Sequence, residues 1–306
     1  MNVKDYEYIA ALAKYKSISR ASKELYISQP ALSKFLQKTE QDLHVRLFQR
    51  VGHQLVPTFA GQQLVRTASE ILFLHHRMLS NLADISHGTS GEIHLGIPMS
   101  RGNFFIAQVL PLFYEQYPGI FLSIYEDSTQ ALLKKLRLGE LDLVFAHLPS
   151  ELADLQIDPV STEEMVLAAP KQFQLDKKAV SLAPYAFPCL APKDWADLPF
   201  LTLSQDQLSR KFADRYFQEQ GISPNFLLKI RNLSQVLYSV QRGLGVTICP
   251  ALPFVKDGAT DNIAYYSLRS EQGPVTRQTA IIRRKDAYLS QAERYLISVI
   301  HKSMHL

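Results

Sequence analysis

Cysteine is nearly missing from this 306-residue sequence: Cys189 and Cys249 are its only two. Two are too few for a disulfide scaffold and fit a reducing compartment. With no matching His pair they also lack zinc-ligand spacing, so no metal is expected. No apolar run approaches the roughly 20 residues that a membrane-spanning helix needs, so no membrane partner is expected. The first seven residues, Met1 to Glu7, are acidic and aromatic and lack the apolar core of a secretory signal, which points to a cytoplasmic location. Catalytic motifs are missing too. There is no Gly-x-Ser-x-Gly, Walker loop or His-Glu-x-x-His. Gly243-Leu244-Gly245 lacks the third glycine of a dinucleotide turn and precedes a strand pattern, not a helix. Neither an enzyme nor a cofactor is therefore expected. What remains, with 46% apolar and 20% charged residues, is an ordinary globular composition, and the length suits two domains.

The net charge of +4 is unevenly spread. Residues 1–60 hold nine Lys/Arg against five Asp/Glu, and basic and acidic residues cancel in the remainder. The whole surplus thus sits where phosphate contacts would use it. In the same stretch Tyr8, Ile9, Leu12 and Ala13 form one apolar helical stripe. Ser19 is placed to cap a second, short helix through Ala21, Ser22 and Leu25. Tyr26-Ile27 reads as a turn and Ser28 as the N-cap of a third helix, with Pro30 in its first turn, where no intrahelical N–H bond is lost. Ala31, Leu32, Phe35 and Leu36 face inward, while Gln29, Ser33, Lys34 and Lys38 face away. Two short helices joined by a tight turn, the second presenting polar residues near its N-terminus, describe a helix-turn-helix. Gln29 suits adenine or a phosphate, Ser33 either role, and Lys34 guanine or the backbone. Periodicity alone also allows a small helical bundle with an ordinary solvated face.

The wording of the sequence narrows this. The run from Ser19 to Lys34 (SRASKELYISQPALSK) closely resembles the helix-turn-helix of the LysR family, as do Leu47-Phe48-Gln49-Arg50 and Thr58-Phe59-Ala60-Gly61, in order and spacing. The resemblance implies that Gln29, Pro30, Ser33 and Lys34 lie at the DNA. It also implies that the segment from Arg50 to Val56 is a wing, from which Arg50, His53 and Gln54 reach the backbone or the minor groove. His44 stands where the family usually has Gly, Thr39 where it has Leu, and Pro57 where it has Leu. His44 is expected to strain a turn that prefers positive φ.

From Thr58 to about His87 there is no proline, and Thr58 is a plausible N-cap. Leu64, Ala68, Ile71, His75, Met78, Leu82 and Ile85 keep heptad spacing, the pattern of a helix facing a partner. Val65, Leu72 and Leu79 flank that seam. We read a dimerisation helix of roughly 45 Å, long enough to hold two heads on separate half-sites; a core helix of one domain is the alternative. His75 is either a pH-sensitive seam residue or one tolerated at a partly wet position. Ser86-His87-Gly88-Thr89-Ser90-Gly91 reads as a hinge.

Beyond it, strand patterns at 92–97, 120–126, 141–145, 165–169, 200–203, 226–230, 246–249 and 276–283 alternate with helical stretches at 105–117, 128–138, 207–219, 232–241 and 288–301. This is an α/β pattern built on a parallel sheet, with two βα units suggesting twin subdomains around a cleft. Gly139 to Leu143 and Gly243 to Pro250 resemble the LysR effector-binding domain, itself like a periplasmic binding protein. The expected fold is thus α/β: an N-terminal all-α winged helix-turn-helix (1–58), a linker helix and hinge (59–90), and two Rossmann-like subdomains of periplasmic-binding-protein type (91–161 with 267–306, and 162–266).

In such folds ligands meet strand C-termini and helix N-termini. Ser100, Ser128, Thr129, Thr202, Ser204 and Thr247 sit at such places, and the resemblance puts Ser100, Ser128, Thr202 and Thr247 in the effector pocket. Each hydroxyl is otherwise a cap or turn residue. Arg101 either pairs with a carboxylate effector or is solvated. The two cysteines offer a redox switch as in a peroxide-sensing branch of the family, although neither has an obvious basic neighbour. The expectation is a LysR-type transcription regulator with a small-molecule effector. It would act as a homodimer, or a dimer of dimers, on promoter DNA and through RNA polymerase. A cytoplasmic solute-binding protein without promoter binding is the rival.

Overall fold

The computed structural model describes residues 1–85, 91–148, 152–205, 207–251, 262–270, 273–285 and 287–305. They form two compact units, Met1–Gly88 with Arg137–Glu140, and Thr89–Leu136 with Leu141–Leu306. The hinge expected at 86–91 falls, except for Gly91, outside the described residues.

The first unit opens with α1 (Val3–Tyr15), whose N-cap Asn2 and Asp5 form a reciprocal capping box. Helix α2 (Ile18–Glu24) is capped by Ser17, not by the expected Ser19: the Ser17 Oγ accepts from Arg20 N at 3.4 Å. Chain reversal before α3 (Gln29–Asp42) uses Tyr26 at φ +53°. The hairpin β1 (Phe48–Val51) and β2 (Gln54–Pro57) turns at Gly52-His53, with Gly52 at φ +59° as a two-residue hairpin turn requires of its first residue. Helix α4 (Phe59–Ile85) spans about 40 Å. Ile9, Leu12, Ala21, Leu32, Leu47 and Ala68 make the core, all close to fully buried.

Two departures from the family pattern find a local cause. His44 does adopt the left-handed conformation, at φ +52°. Thr39 is buried and returns its hydroxyl to Phe35 O at 2.9 Å, so a polar residue is tolerated at an apolar position. Gly61 is obligatory: a Cβ there would stand 1.8 Å from Leu47 O.

The second unit is built on β3 (Gly91–Pro98), β4 (Ile120–Asp127), β5 (Leu143–His147), β6 (Leu155–Pro170), β7 (Cys189–Leu190), β8 (Pro199–Leu203), β9 (Asn225–Ile230), β10 (Thr247–Pro250), β11 (Ile263–Leu268) and β12 (Thr276–Arg284). Its helices are α5 (Gly102–Phe104), joined by a π-turn at Phe105–Val109 to α6 (Leu110–Gln116), then α7 (Thr129–Arg137), α8 (Leu208–Gln220), α9 (Leu233–Gln241) and α10 (Gln291–His305). The main sheet runs β4-β3-β5-β12-β6-β11-β7, with β10 also on β6 and β8 paired to β9.

The sheet is mixed, which corrects the expectation of a parallel one. β3 pairs with β4 and β5 in parallel, but β12 is antiparallel to both β5 and β6. The 16-residue β6 explains this. Its first half pairs with β12 and its second with β10 and β11, so one strand carries the chain from one half to the other and β12 carries it back. Only 165–169 of β6 reads as a strand in the sequence, because Pro159 and the polar run Ser161-Thr162-Glu163-Glu164 break the apolar pattern. The register shifts at that proline, where Ala280 pairs with Pro159 and Thr279 with Ser161. β7 and β11 lie outside the expected strands altogether. Each half keeps its own core, one around Phe105, Phe113, Phe145 and Leu296, the other around Trp195, Phe200, Phe217 and Tyr266.

Candidate nucleic-acid interface and ligand site

In the first unit, the start of α3 is presented by its own cap. Ser28 Oγ accepts from Ala31 N at 3.3 Å, and Pro30 occupies the first turn. Leu32 and Leu36 anchor the buried face, which leaves Gln29, Lys34 and Lys38 exposed and Ser33 half-buried. The hairpin exposes Arg50, His53 and Gln54. One cleft collects Gln29 from α3, Arg50, His53 and Gln54 from the hairpin, and Lys16 and Ser17 between them. Ser33 lines a neighbouring groove with Arg46 and Arg50. Lys14, Lys16 and Arg20 extend the basic surface beside His53 and Gln54. These residues were not among the expected contacts; only the charge surplus of the first sixty residues hints at them.

The hairpin is tied down from below by Glu40, whose Oε1 accepts from Leu47 N at 2.7 Å and Phe48 N at 3.0 Å. Thr58 closes the other side. It donates to Arg46 O at 2.7 Å and accepts from Gly61 N at 3.1 Å, capping α4. Along α4 the heptad positions separate. Ala68 is fully buried in the unit's own core, with Leu64 packed beside it. Ile71 and His75 are half-buried, and Met78 and Leu82 are exposed. Ile85 ends the helix, and its side chain lies outside those described.

In the second unit the expected hydroxyls are held mostly by their own backbone or by neighbours. Ser128 caps α7, its Oγ accepting from Ala131 N at 3.4 Å, and Thr129 is buried behind it. Thr202 accepts from Arg210 Nη1 at 3.1 Å. Thr247 begins β10, next to β8 through backbone bonds between Leu201 and Val246, so Thr202 and Thr247 occupy adjoining strands. Ser100 and Ser204 are half-buried.

Arg101 is not solvated, which corrects one of its two expected roles, and it already has a carboxylate partner within the chain. It is fully buried, its Nη2 paired with Glu163 Oε1 and 3.2 Å from His147 Nε2, with Phe145 beneath the guanidinium. A side chain at the end of a strand can be solvated only if nothing crosses above it, and here β6 brings Glu163 directly over it. Arg277, opposite Glu163 on β12, points its Nε at Glu163 Oε2 from 3.9 Å and donates Nη1 to Ser209 Oγ at 3.0 Å. Burial first, and then Arg277 and Arg101, push the His147 imidazole well below its usual range, so it is neutral at pH 7. Burial lowers Arg277 itself to about 9, against the opposing pull of Glu163. Sequence reading missed Glu163, His147, Gln207 and Arg277: single charges inside strand patterns carry no signal of their own.

Both cysteines are buried. Burial raises Cys189, and it raises Cys249 to about 12 despite Arg277, the basic neighbour that the sequence did not reveal.

A family model described as the LysR substrate binding domain matches residues 86–304, and one for the bacterial regulatory helix-turn-helix protein, lysR family, matches residues 3–62. The chain is 28% identical to YcgK of Bacillus subtilis, an uncharacterized HTH-type transcriptional regulator, over 99% of this chain and 95% of that protein. Among solved structures it is similar to a full-length OxyR variant of Pseudomonas aeruginosa, at TM-score 0.70 and 23% identity, covering 100% of this chain and 95% of that one. It is also similar to full-length CbnR complexed with its target DNA, at TM-score 0.62 and 20% identity, covering 99% and 100%.

Proposed function

The chain belongs to the LysR family of transcription regulators, DNA-binding proteins with an effector-binding domain, and from that premise we propose how its residues divide the work. The first turns of α3 enter the major groove. Gln29 and Ser33 address base edges there, and Lys34 reaches guanine or phosphate. Ser28 and Pro30 set the entry of that helix, Lys38 meets the phosphate backbone, and Arg50, His53 and Gln54 reach the backbone or minor groove from the hairpin. The observation that carries this reading is the single cleft shared by Gln29, Arg50, His53 and Gln54. Two elements distant in sequence thereby present polar side chains to one ligand.

Pairing of α4 with a second copy would use the seam from Ile71 through His75, Met78 and Leu82 to Ile85. Leu64 and Ala68 serve the unit's own core and contribute only at its margin. A homodimer built this way, alone or as a dimer of dimers, places two heads on paired half-sites. A small-molecule effector, with no other cofactor, binds among Ser100, Ser128, Thr129, Thr202, Ser204 and Thr247. Its differential affinity for two subunit arrangements then alters DNA geometry and contact with RNA polymerase. The solute-binding alternative gives no use for a basic head whose helix start and hairpin share a cleft.

The test is a gel shift at fixed salt on the DNA beside the protein's own gene. Gln29→Ala and Ser33→Ala are expected to lose about 1–3 kcal/mol of discrimination against mismatched sites. Arg50→Ala should weaken all sequences alike and lower the salt slope by about one. Binding and discrimination unchanged in both the Gln29 and Ser33 variants would remove the groove assignment.

A further inference from the structure

Lys16 ends α1 in a conformation that a lysine rarely adopts. Its φ is +50° and its ψ +27°, in the left-handed region, where a Cβ crowds the following carbonyl. Glycine, which lacks that Cβ, is the usual residue at such a helix end. Nothing in the packing asks for a lysine side chain here. It is exposed, and among the described residues neither a hydrogen bond nor an ion pair engages it. The backbone, by contrast, is held on both sides. Lys16 N donates to Leu12 O at 3.1 Å, and Lys16 O accepts from Leu55 N on β2 at 2.9 Å. The turn between α1 and α2 is therefore fastened to the hairpin, which fixes the root of the lysine side chain beside it.

That place is a lip shared by two clefts. One, of about 520 Å³, runs from Lys14 and Arg20 to His53 and Gln54. The other, of about 210 Å³, runs from Gln29 and Arg50 to the same hairpin tip. Lys16, Ser17, His53 and Gln54 line both. Lys14, Lys16, Arg20 and Arg50 bring four positive charges to these walls, and no Asp or Glu lines either cleft. Among the described residues no carboxylate pairs with any of the four. Cations gathered without a counter-charge repel one another, and an anion placed among them relieves the repulsion. Because they come from α1, the turn, α2 and β1 and span two adjoining clefts, they suit a chain of phosphates better than one small ion. The left-handed lysine is thus an outlier that folding alone does not explain, and such outliers gather at sites of function.

We propose that Lys16, with Lys14 and Arg20 beside it, grips the sugar-phosphate backbone of the DNA strand that passes between the α1–α2 turn and the hairpin. The strained backbone at Lys16 is kept for this contact: the glycine that would relax the turn would also empty the grip. Such a contact fixes register and carries no base preference. The proposal rests on the reading of this unit as DNA-binding and adds to it a phosphate contact on a third element, apart from α3 and the hairpin.

The test measures binding of the full chain to a duplex carrying the sequence beside its own gene and to an unrelated duplex of equal length, by fluorescence anisotropy across a salt series. Lys16→Gly is expected to weaken binding to both duplexes alike, about three- to tenfold, and to lower the slope of log K against log salt by about one. Its melting temperature, followed by the helical circular dichroism signal, should stay level or rise by up to about 5 °C, because the turn is relaxed. Lys16→Gln, which removes the charge and keeps the strain, should lose as much affinity as Lys16→Gly. Lys14→Gln and Arg20→Gln, which leave the turn alone, should each lose about two- to fivefold. Parent-like affinity and slope in both Lys16 variants would overturn the proposal. So would a loss confined to Lys16→Gly, which would place the effect in the turn, or a loss on one duplex only, which would mean base reading. A lower melting temperature in Lys16→Gly would show that the turn is not strained by the lysine, and would overturn it too. The groove assignment is judged separately, by discrimination in Gln29→Ala and Ser33→Ala. If those two keep discrimination while the Lys16 variants lose affinity for both duplexes, the groove assignment falls and the phosphate grip stands. If they lose discrimination and the Lys16 variants bind like the parent, the groove assignment stands and the grip falls.

Discussion

Replacing Glu163 by Gln should be among the most costly single substitutions in the second unit. The side chain is fully buried, and its two oxygens are the only carboxylate oxygens placed within 4 Å of Arg101 and Arg277 among the described ion pairs. The amide keeps the volume and one acceptor but removes the charge, leaving two guanidinium groups in a site where water cannot compensate. Breaking a buried pair in this way costs about 3–5 kcal/mol, a large share of the roughly 5–15 kcal/mol that hold a domain together. Urea unfolding should be followed by the fluorescence of Trp195, the single tryptophan of the chain, which is buried in the second unit and reports on it alone. The companion variants are Arg101→Met and the double substitution. If the pair is real, the double variant loses less than the sum of the two singles, with a coupling of about 1–3 kcal/mol. A loss below about 1 kcal/mol for Glu163→Gln, or strict additivity, would refute the reasoning.

The same cluster sets a pH dependence. His147 is held neutral in the folded protein, its pKa lowered from 6.5, whereas the unfolded chain takes up a proton below about that pH. Stability is therefore full above pH 6.5 and falls as the pH drops beneath it, with a limiting slope of about 1.4 kcal/mol per pH unit. His147→Gln should flatten that window in urea titrations; an unchanged slope would show that His147 is not its source. Cys189 and Cys249 should form no intramolecular disulfide. Cys249 pairs across the sheet with Val166, Val166 with Ser267 and Ser267 with Cys189, a separation of three strand spacings or about 14 Å, against a limit near 7 Å. Intact mass after peroxide treatment and alkylation should show no loss of two hydrogens between them. Gly61→Ala should push α4 off the Leu47 carbonyl and cost about 1–3 kcal/mol or more, with loss of helical signal and of DNA binding together; a variant as stable as the parent would show that the close approach is not fixed.

Which parts of this protein could be read from its sequence follows from how local their causes are. The head was legible because each of its signals is short-range: Ser28 caps the helix that begins beside it, Pro30 sits in that helix's first turn, and the polar face of α3 follows from a period of 3.6 residues. Even the misplaced cap, Ser19 for Ser17, is a slip between two serines that flank the same helix start. The heptad on α4 was legible as a pattern but not as an assignment, because an apolar stripe reads the same whether Ala68 packs in its own unit or against a second copy. The ligand unit failed differently. Arg101 was read as a surface or ligand residue because nothing near it in sequence answers its charge. Glu163 lies 62 positions away and reaches it only because β6 runs through both halves of the sheet. Arg277 comes from further still, on the returning strand, and Gln207 looks like an ordinary polar residue before a helix. Their meaning lies in what surrounds them after folding: two cations share one anion, and an amide is buried without a partner. None of this is visible along the chain, because the cluster exists only once β12 has come between β5 and β6 and its Arg277 has met the start of α8.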